Sequence, residues 1–275
     1  MKDEMVLSGE YLMENDEESK RLDTKTNPDA IKNQARWCGI QPGTRLLDVG
    51  CGIGKTTDVL FEMMQPGGSV VGIDFSEERI NYARAIYGDR VGIEFKTRDF
   101  RFPMEDLGQF DFIWVRFILE HFCSGAIDII KNLTSNLKQD GWLCLIDLDH
   151  NCLNHWEMPE SVENILFDVM KKMQKHNNFD PFVGRKLYAY LFDLGYRDIE
   201  LNVQAHHLIY GDLNDSDEFN WLKKLEAGAR KARESFNDYP GGFEGFLSAF
   251  KAFFKNPRRF TYTPLIICKG RKPIS

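Results

Sequence analysis

The chain has 275 residues, 43% hydrophobic and 28% charged, the balance of an ordinary water-soluble globular protein. A net charge of -7 argues against a broad nucleic-acid-binding surface, and no apolar run approaches the roughly 20 residues that span a bilayer. The opening "MKDEMVLSGEY" lacks the basic-then-apolar layout of a secretory leader, so the expected location is the cytoplasm.

In chain order, residues 1–40 are polar and read as an N-terminal helical cap, with a helix near Pro28 to Cys38. After the turn signal "QPGT", short apolar runs alternate with amphipathic stretches. "RLLDV", "SVVGID", "VGIEFKT", "FDFIWV" and "WLCLIDL" read as five strands. "KTTDVLFEMM", "SEERINYARAIYG" and "AIDIIKNLTSNLK" read as the helices between them, the second capped by Ser76. Gly141 in "QDGW" reads as the end of the turn before strand five. Strands separated by helices indicate βαβ units. The expectation is an α/β, doubly wound, mostly parallel seven-stranded sheet, with residues 41–150 as its core.

Beyond residue 150 the pattern turns helical. Val162, Ile165, Leu166, Val169, Met170 and Met173 follow the 3.6-residue period over 159–177. "VGRKLYAYLFDLG" is a further helix and "YRDIELNVQAHHLIYG" a sixth strand. Residues 216–256 are helical again, with Phe243, Phe246, Leu247, Phe250, Phe253 and Phe254 marking an apolar face that reads as core. Segments 151–195 and 211–258 are therefore helical insertions after strands five and six, expected to form a lid, a homodimer surface or extra core. Residues 259–275 close the chain with a last strand, and the whole is expected to be one domain.

The six cysteines, scattered without a CxxC pair, fit neither a zinc site nor a disulfide framework. Asp147, Asp149, His150 and His155 could be dressed as a metal site, but strand alternation puts Asp147 and Asp149 on one face and His150 on the other, so no metal is expected. The same alternation assigns His206 and His207 to opposite faces.

The chemistry-bearing stretch is "LDVGCGIGKTT". A P-loop needs a glycine five residues before Gly54-Lys55-Thr56, and that position is Val49, so Lys55 and Thr56 are expected only to begin a helix. A dinucleotide fingerprint needs G-x-G-x-x-G; here Gly50, Gly52 and Gly54 are one residue short. Asp48 stands two positions before this G-x-G-x-G turn, Asp74 ends the second strand, Asp99 follows the third in "KTRDF", and "FDFIWVRFILEHF" carries Arg116 at the end of the fourth. These features, in order over residues 44–148, resemble the class I S-adenosylmethionine-dependent methyltransferases, in particular the small-molecule group called type 11 or UbiE-like.

The resemblance implies S-adenosylmethionine as cofactor, S-adenosylhomocysteine as product, and in-line methyl transfer to a small-molecule acceptor; with the charge and hydropathy above, no nucleic-acid partner and no membrane span are expected. It implies that Asp48, Gly50, Cys51, Gly52 and Gly54 pass under the methionine part and that Asp74 accepts from the ribose hydroxyls. Phe75 would pack on the adenine, Asp99 would accept from its amino group with Arg98 and Phe100 flanking, and the Arg116 carbonyl would face the ammonium. Candidates for orienting the acceptor or taking its proton are His121 beside Glu120, Asp149 beside His150, and Tyr11 in "SGEYL". Arg185 is a candidate for an anionic substrate group or a salt-bridged helix arginine, and "KKLEAGARKAR" reads as a solvated basic face. The alternatives are an NAD-dependent oxidoreductase and a catalytically silent cofactor-binding interaction module.

Overall fold

The computed structural model describes residues 27–274. The first described helix, α1 (Pro28–Cys38), starts where Asn27 accepts from the Asp29 and Ala30 amides and stops at Gly39 in the left-handed conformation. Then come β1 (Arg45–Val49), α2 (Lys55–Met63), β2 (Ser69–Asp74), α3 (Glu77–Tyr87), β3 (Ile93–Thr97), β4 (Phe110–Arg116), α4 (Ala126–Ser135) and β5 (Leu137–Leu148). Ser76 caps α3 by accepting from the Arg79 amide. The second half holds β6 (His155–Trp156), α5 (Glu160–His176), α6 (Leu187–Asp193), β7 (Arg197–Tyr210), α7 (Asp215–Lys231), α8 (Gly242–Phe254) and β8 (Phe260–Arg271).

The strands form one sheet. β3, β2, β1, β4 and β5 are parallel in that spatial order, and β8 runs antiparallel beside β5 with β7 on its other edge. That is the expected seven-stranded, mostly parallel sheet, with one short strand added. β6 pairs Thr261 and Phe260 of β8, continuing along that edge beyond β5.

Strand alternation builds the two faces. Leu46, Val70, Phe112 and Trp114 pack with Ile31, Leu60 and Ile80 on one side. Leu47, Val71, Ile113 and Val115, one residue along, pack with Ile129, Ile130 and Leu133 on the other. Both faces are covered, which is why the strands read as continuous apolar runs. A third cluster joins α5, α7 and α8 through Val162, Leu166, Trp221, Phe246, Phe250 and Phe254, so the Phe stripe of 243–254 is core.

Two local readings change. α4 ends at Ser135 and β5 begins at Leu137, five residues earlier than "WLCLIDL" suggests. The "QDG" turn is absorbed as an irregularity inside the strand: Phe110 pairs Leu137 but Phe112 pairs Trp142, with Asp140 at φ 63. In β7 the strict alternation of His206 and His207 fails. A register shift separates His206 from Ile209, His207 sits at φ 50, and the two rings lie 3.9 Å apart.

Candidate active site

The site lies beyond the carboxyl ends of β1, β2 and β4, where open α/β sheets hold their ligands. A cavity of about 290 Å³ is bounded there by the β1–α2 turn, the start of α3, the segment after β4, and one face each of α5 and α7.

The turn after β1 is built by glycine. Gly50 (φ 69) and Gly52 (φ 55) both adopt the left-handed region. A Cβ on Gly50 would press on the Ile118 side chain, and the positive φ would strain any other residue there. A Cβ on Gly52 would meet nothing within 4 Å, and Gly52 borders the cavity. A Cβ on Gly54 would press on Ala83 and Phe95, so that glycine seats α2 against the layer below. Lys55 and Thr56 do begin α2, as expected, and both also line the cavity.

Asp74 is buried on the cavity wall. Its Oδ2 accepts from the Gly52 amide at 3.0 Å and its Oδ1 from the Ser76 amide at 2.9 Å, with Arg79 at 3.8 Å. Each oxygen keeps a lone pair for a further donor. Phe75, 41% exposed, and the buried Phe100 add aromatic wall. Cys51 also borders the cavity, and burial, followed by the charges of Asp48 and Asp74, pushes its thiol well up, leaving it protonated.

Other residues singled out from the sequence stand back from the wall. Asp48 lies beneath the turn, where its Oδ2 accepts from the Thr57 hydroxyl at 2.6 Å, and burial raises its carboxyl to about 7. Asp99 faces Arg101, which donates to both carboxylate oxygens from its side chain and to one from its amide. Burial works against the charged form, but those bonds hold the Asp99 carboxyl below its usual range. Arg98 pairs with Asp106 at 2.7 Å. None of these three side chains lines the cavity.

At the end of β4, Arg116 lines the cavity and donates from Nε to Gln34 of α1 at 3.1 Å. Burial lowers its guanidinium to about 10, against the pull of Asp48 and Asp147. Phe117 follows at φ 59 with its amide on the Ile146 carbonyl, and the short 3-10 turn Leu119–His121 brings Glu120 and His121 onto the wall. Glu120 Oε2 accepts from Asn151 at 2.8 Å, and Glu120 Oε1 stands 3.7 Å from His121 Nε2. Burial lowers the His121 pKa more than Glu120 raises it. His121 is therefore a neutral imidazole near pH 7, able to accept a proton.

Asp149 has a different place from the one expected. It forms a bidentate pair with Arg185 at 2.8 and 2.9 Å, and neither it nor His150 lines the cavity. Arg185 is accordingly the salt-bridged arginine of its two readings. His155 packs in an aromatic nest of Trp221, Phe250 and Phe253, with its Nδ1 on the Thr261 hydroxyl at 2.9 Å and its Nε2 on the Cys152 carbonyl at 3.1 Å. Tyr11 lies outside the described residues.

Arg79, Ile118, Asn151 and Phe179 line the cavity without having been singled out. Arg79 carried a usable signal, one helical turn beyond Asp74 on a helix capped at Ser76. Asn151 and Phe179 carried none, because the loops that hold them have no periodic pattern.

Comparison with known proteins agrees with this architecture. The methyltransferase domain family matches residues 40–205, more than half of the chain. The ubiquinone biosynthesis O-methyltransferase of Bordetella avium is 30% identical over 130 residues, covering 46% of this chain and 51% of that one. The 2-methyl-6-phytyl-1,4-hydroquinone methyltransferase of Synechocystis is 30% identical over 139 residues, 48% of this chain and 43% of that one. The chain thus spans about half the length of the curated relatives it matches. Among solved structures, a methyltransferase-described protein of Bacillus halodurans superimposes with TM-score 0.57 at 17% identity, over 90% of this chain and 100% of that one. The [4+2]-cyclase SpnF superimposes with TM-score 0.55 at 18% identity, over 90% and 82%. Coclaurine N-methyltransferase, bound to N-methylheliamine and SAH, does so with TM-score 0.54 at 17% identity, over 89% and 72%. By its sequence match and its fold, the chain belongs to the methyltransferase domain family.

Proposed function

We propose that the protein transfers a methyl group from S-adenosylmethionine to a small-molecule acceptor. The observation that carries this reading is the buried Asp74 carboxylate on the cavity wall, tied to the Gly52 amide of the left-handed glycine turn. The residues present suit the donor molecule. Asp74 has lone pairs for vicinal hydroxyls, Phe75 and Phe100 supply flat apolar surface for a base, and the open side of Gly52 leaves backbone approachable. Arg98 and Asp99 are engaged with Asp106 and Arg101, so an adenine amino group held by Asp99 would share it with Arg101.

The donor supplies an activated methyl on a sulfonium, so the chain mainly has to align the acceptor and exclude water. Phe117, Phe122 and Phe179 help to dry the region around the β4 end. Neutral His121 accepts the acceptor's proton where it has one, and Glu120 at 3.7 Å stabilises the imidazolium that forms. Asn151 holds Glu120 in place. The relatives' names include an O-methyltransferase of ubiquinone biosynthesis and a hydroquinone methyltransferase, which supports an aromatic acceptor.

A fold shared with a cyclase does not by itself choose the chemistry. Incubation with labelled methyl donor and a metabolite extract tests the reading directly. Label appearing in a small molecule supports it; no transfer to any pool, with donor bound, would favour the silent binding module. No described helix is long and apolar enough to cross a membrane. All six cysteines stand as free thiols, which supports action in a reducing compartment such as the cytoplasm. A homodimer through α5, α7 and α8 is the corresponding assembly proposal, checked by light scattering.

A further inference from the structure

The cavity extends beyond the glycine turn to a wall made by one face of α7. Trp221, Lys224, Leu225, Gly228 and Lys231 line it, a spacing that gathers side chains on one side of a helix. From the sequence, this basic stretch reads as solvated surface. In the fold, two of its lysines border ligand space, while Leu166, Val169, Met170 and Met173 of α5 face them as apolar wall. Gly228 permits that closeness, since a Cβ there would stand 3.3 Å from Val169.

Lys224 is the unusual member. Its ammonium lies 5.4 Å over the Trp221 ring and 3.8 Å from the Cys152 sulfur. Neighbouring lysines of the lid have carboxylates, Lys223 with Glu226 and Lys172 with Asp168. Among the described residues Lys224 has no carboxylate within ion-pairing distance. A thiol is a weak acceptor, so a half-buried ammonium with three donors lacks a strong one, an arrangement that an anion would complete.

The charge around the cavity points the same way. Among the described residues, five Lys or Arg side chains (Lys55, Arg79, Arg116, Lys224 and Lys231) and two acids, Asp74 and Glu120, border it. Walls of low dielectric concentrate such a field on an incoming anion. A polar path also joins the two ends of the acceptor region. Lys224 donates to Cys152, Cys152 to Asn151 at 3.3 Å, and Asn151 to Glu120 at 2.8 Å.

We infer that the methyl acceptor carries an acidic group, carboxylate or phosphate, on an apolar body, and that Lys224 binds this group while the nucleophile faces His121. The identity of this ligand as acceptor rests on the methyl-transfer reading; the preference for an anion is a property of the cavity itself.

The test is calorimetric, on the full chain with and without S-adenosylhomocysteine. The probes are benzene, naphthalene and biphenyl carboxylates and phosphates, each set compared with its uncharged carboxamide. At least one anion should bind about tenfold or more tightly than its carboxamide, the worth of one charge-assisted hydrogen bond. Lys224→Met should abolish that preference and Lys224→Arg should keep it, with S-adenosylhomocysteine affinity equal in all three proteins as the check on folding. Carboxylates and phosphates compared with each other identify which acid the site takes. The inference is overturned if no anion outbinds its carboxamide, or if Lys224→Met retains the preference. Loss of S-adenosylhomocysteine binding in the unsubstituted protein would instead remove the methyl-donor reading, leaving the anion comparison readable in the chain alone.

Discussion

The Gly52 amide donates to Asp74 Oδ2 at 3.0 Å, joining the turn after β1 to the end of β2. One carboxylate thereby fixes the glycine turn and presents its remaining lone pairs to the cavity, so loop shape and ligand recognition depend on the same group.

Replacing that group should be felt by the ligand first. Asp74→Ala should weaken S-adenosylhomocysteine binding by roughly 1–3 kcal/mol, the cost of losing a buried acceptor. Calorimetry measures this; unchanged affinity would remove Asp74 from the donor site.

His121 is assigned proton transfer, not donor binding. His121→Gln should lower turnover by about 10²–10⁴-fold while leaving S-adenosylhomocysteine affinity nearly constant. Burial depresses the His121 pKa from its ordinary 6.5, so activity of the unsubstituted protein should persist below pH 6.5 before the imidazole protonates and turnover falls. A rate that stays flat through that protonation, or an active His121→Gln variant, would count against the assignment.

Asp149 is tied to Arg185 and stands off the cavity wall. Asp149→Asn should leave turnover within about twofold and cost only about 1 kcal/mol of stability, because the Arg185 partner is half exposed and screened by water. A large loss of kcat with unchanged stability would restore a catalytic role.

His155 links stability to pH. Burial holds its pKa at about 4 in the folded chain, against 6.5 for an unperturbed histidine. Between those values the unfolded chain binds a proton that the folded chain refuses, so stability present above pH 6.5 is lost as pH falls toward 4. The loss should reach about 2–3 kcal/mol. Denaturant titrations across this range should show the slope in the unsubstituted protein and its reduction in His155→Asn; an equal slope in both would locate the effect elsewhere.

The parallel run of β1, β2 and β3 could be read from the chain because helices separate those strands, the second of them capped by Ser76. The glycine turn and Asp74 were readable for a similar reason: strand ends fix their position. What the pattern left open was set by side-chain pairing. Asp99 and Asp149 have the residue type and placement of ligand-binding acids, and each is paired with an arginine: Arg101, two residues along, and Arg185. The bulge at His207 breaks an alternation that sequence pattern takes for granted. Lys224 looked solvated because a helix's polar face gives no sign that another helix will cover it.

Calorimetric titration with S-adenosylhomocysteine and, separately, with NAD distinguishes the two cofactors in one experiment. S-adenosylhomocysteine should bind saturably, more weakly in Asp74→Ala, and NAD should give no heat. Binding of NAD in its place, or no binding of S-adenosylhomocysteine to the intact chain, would contradict the methyl-donor reading.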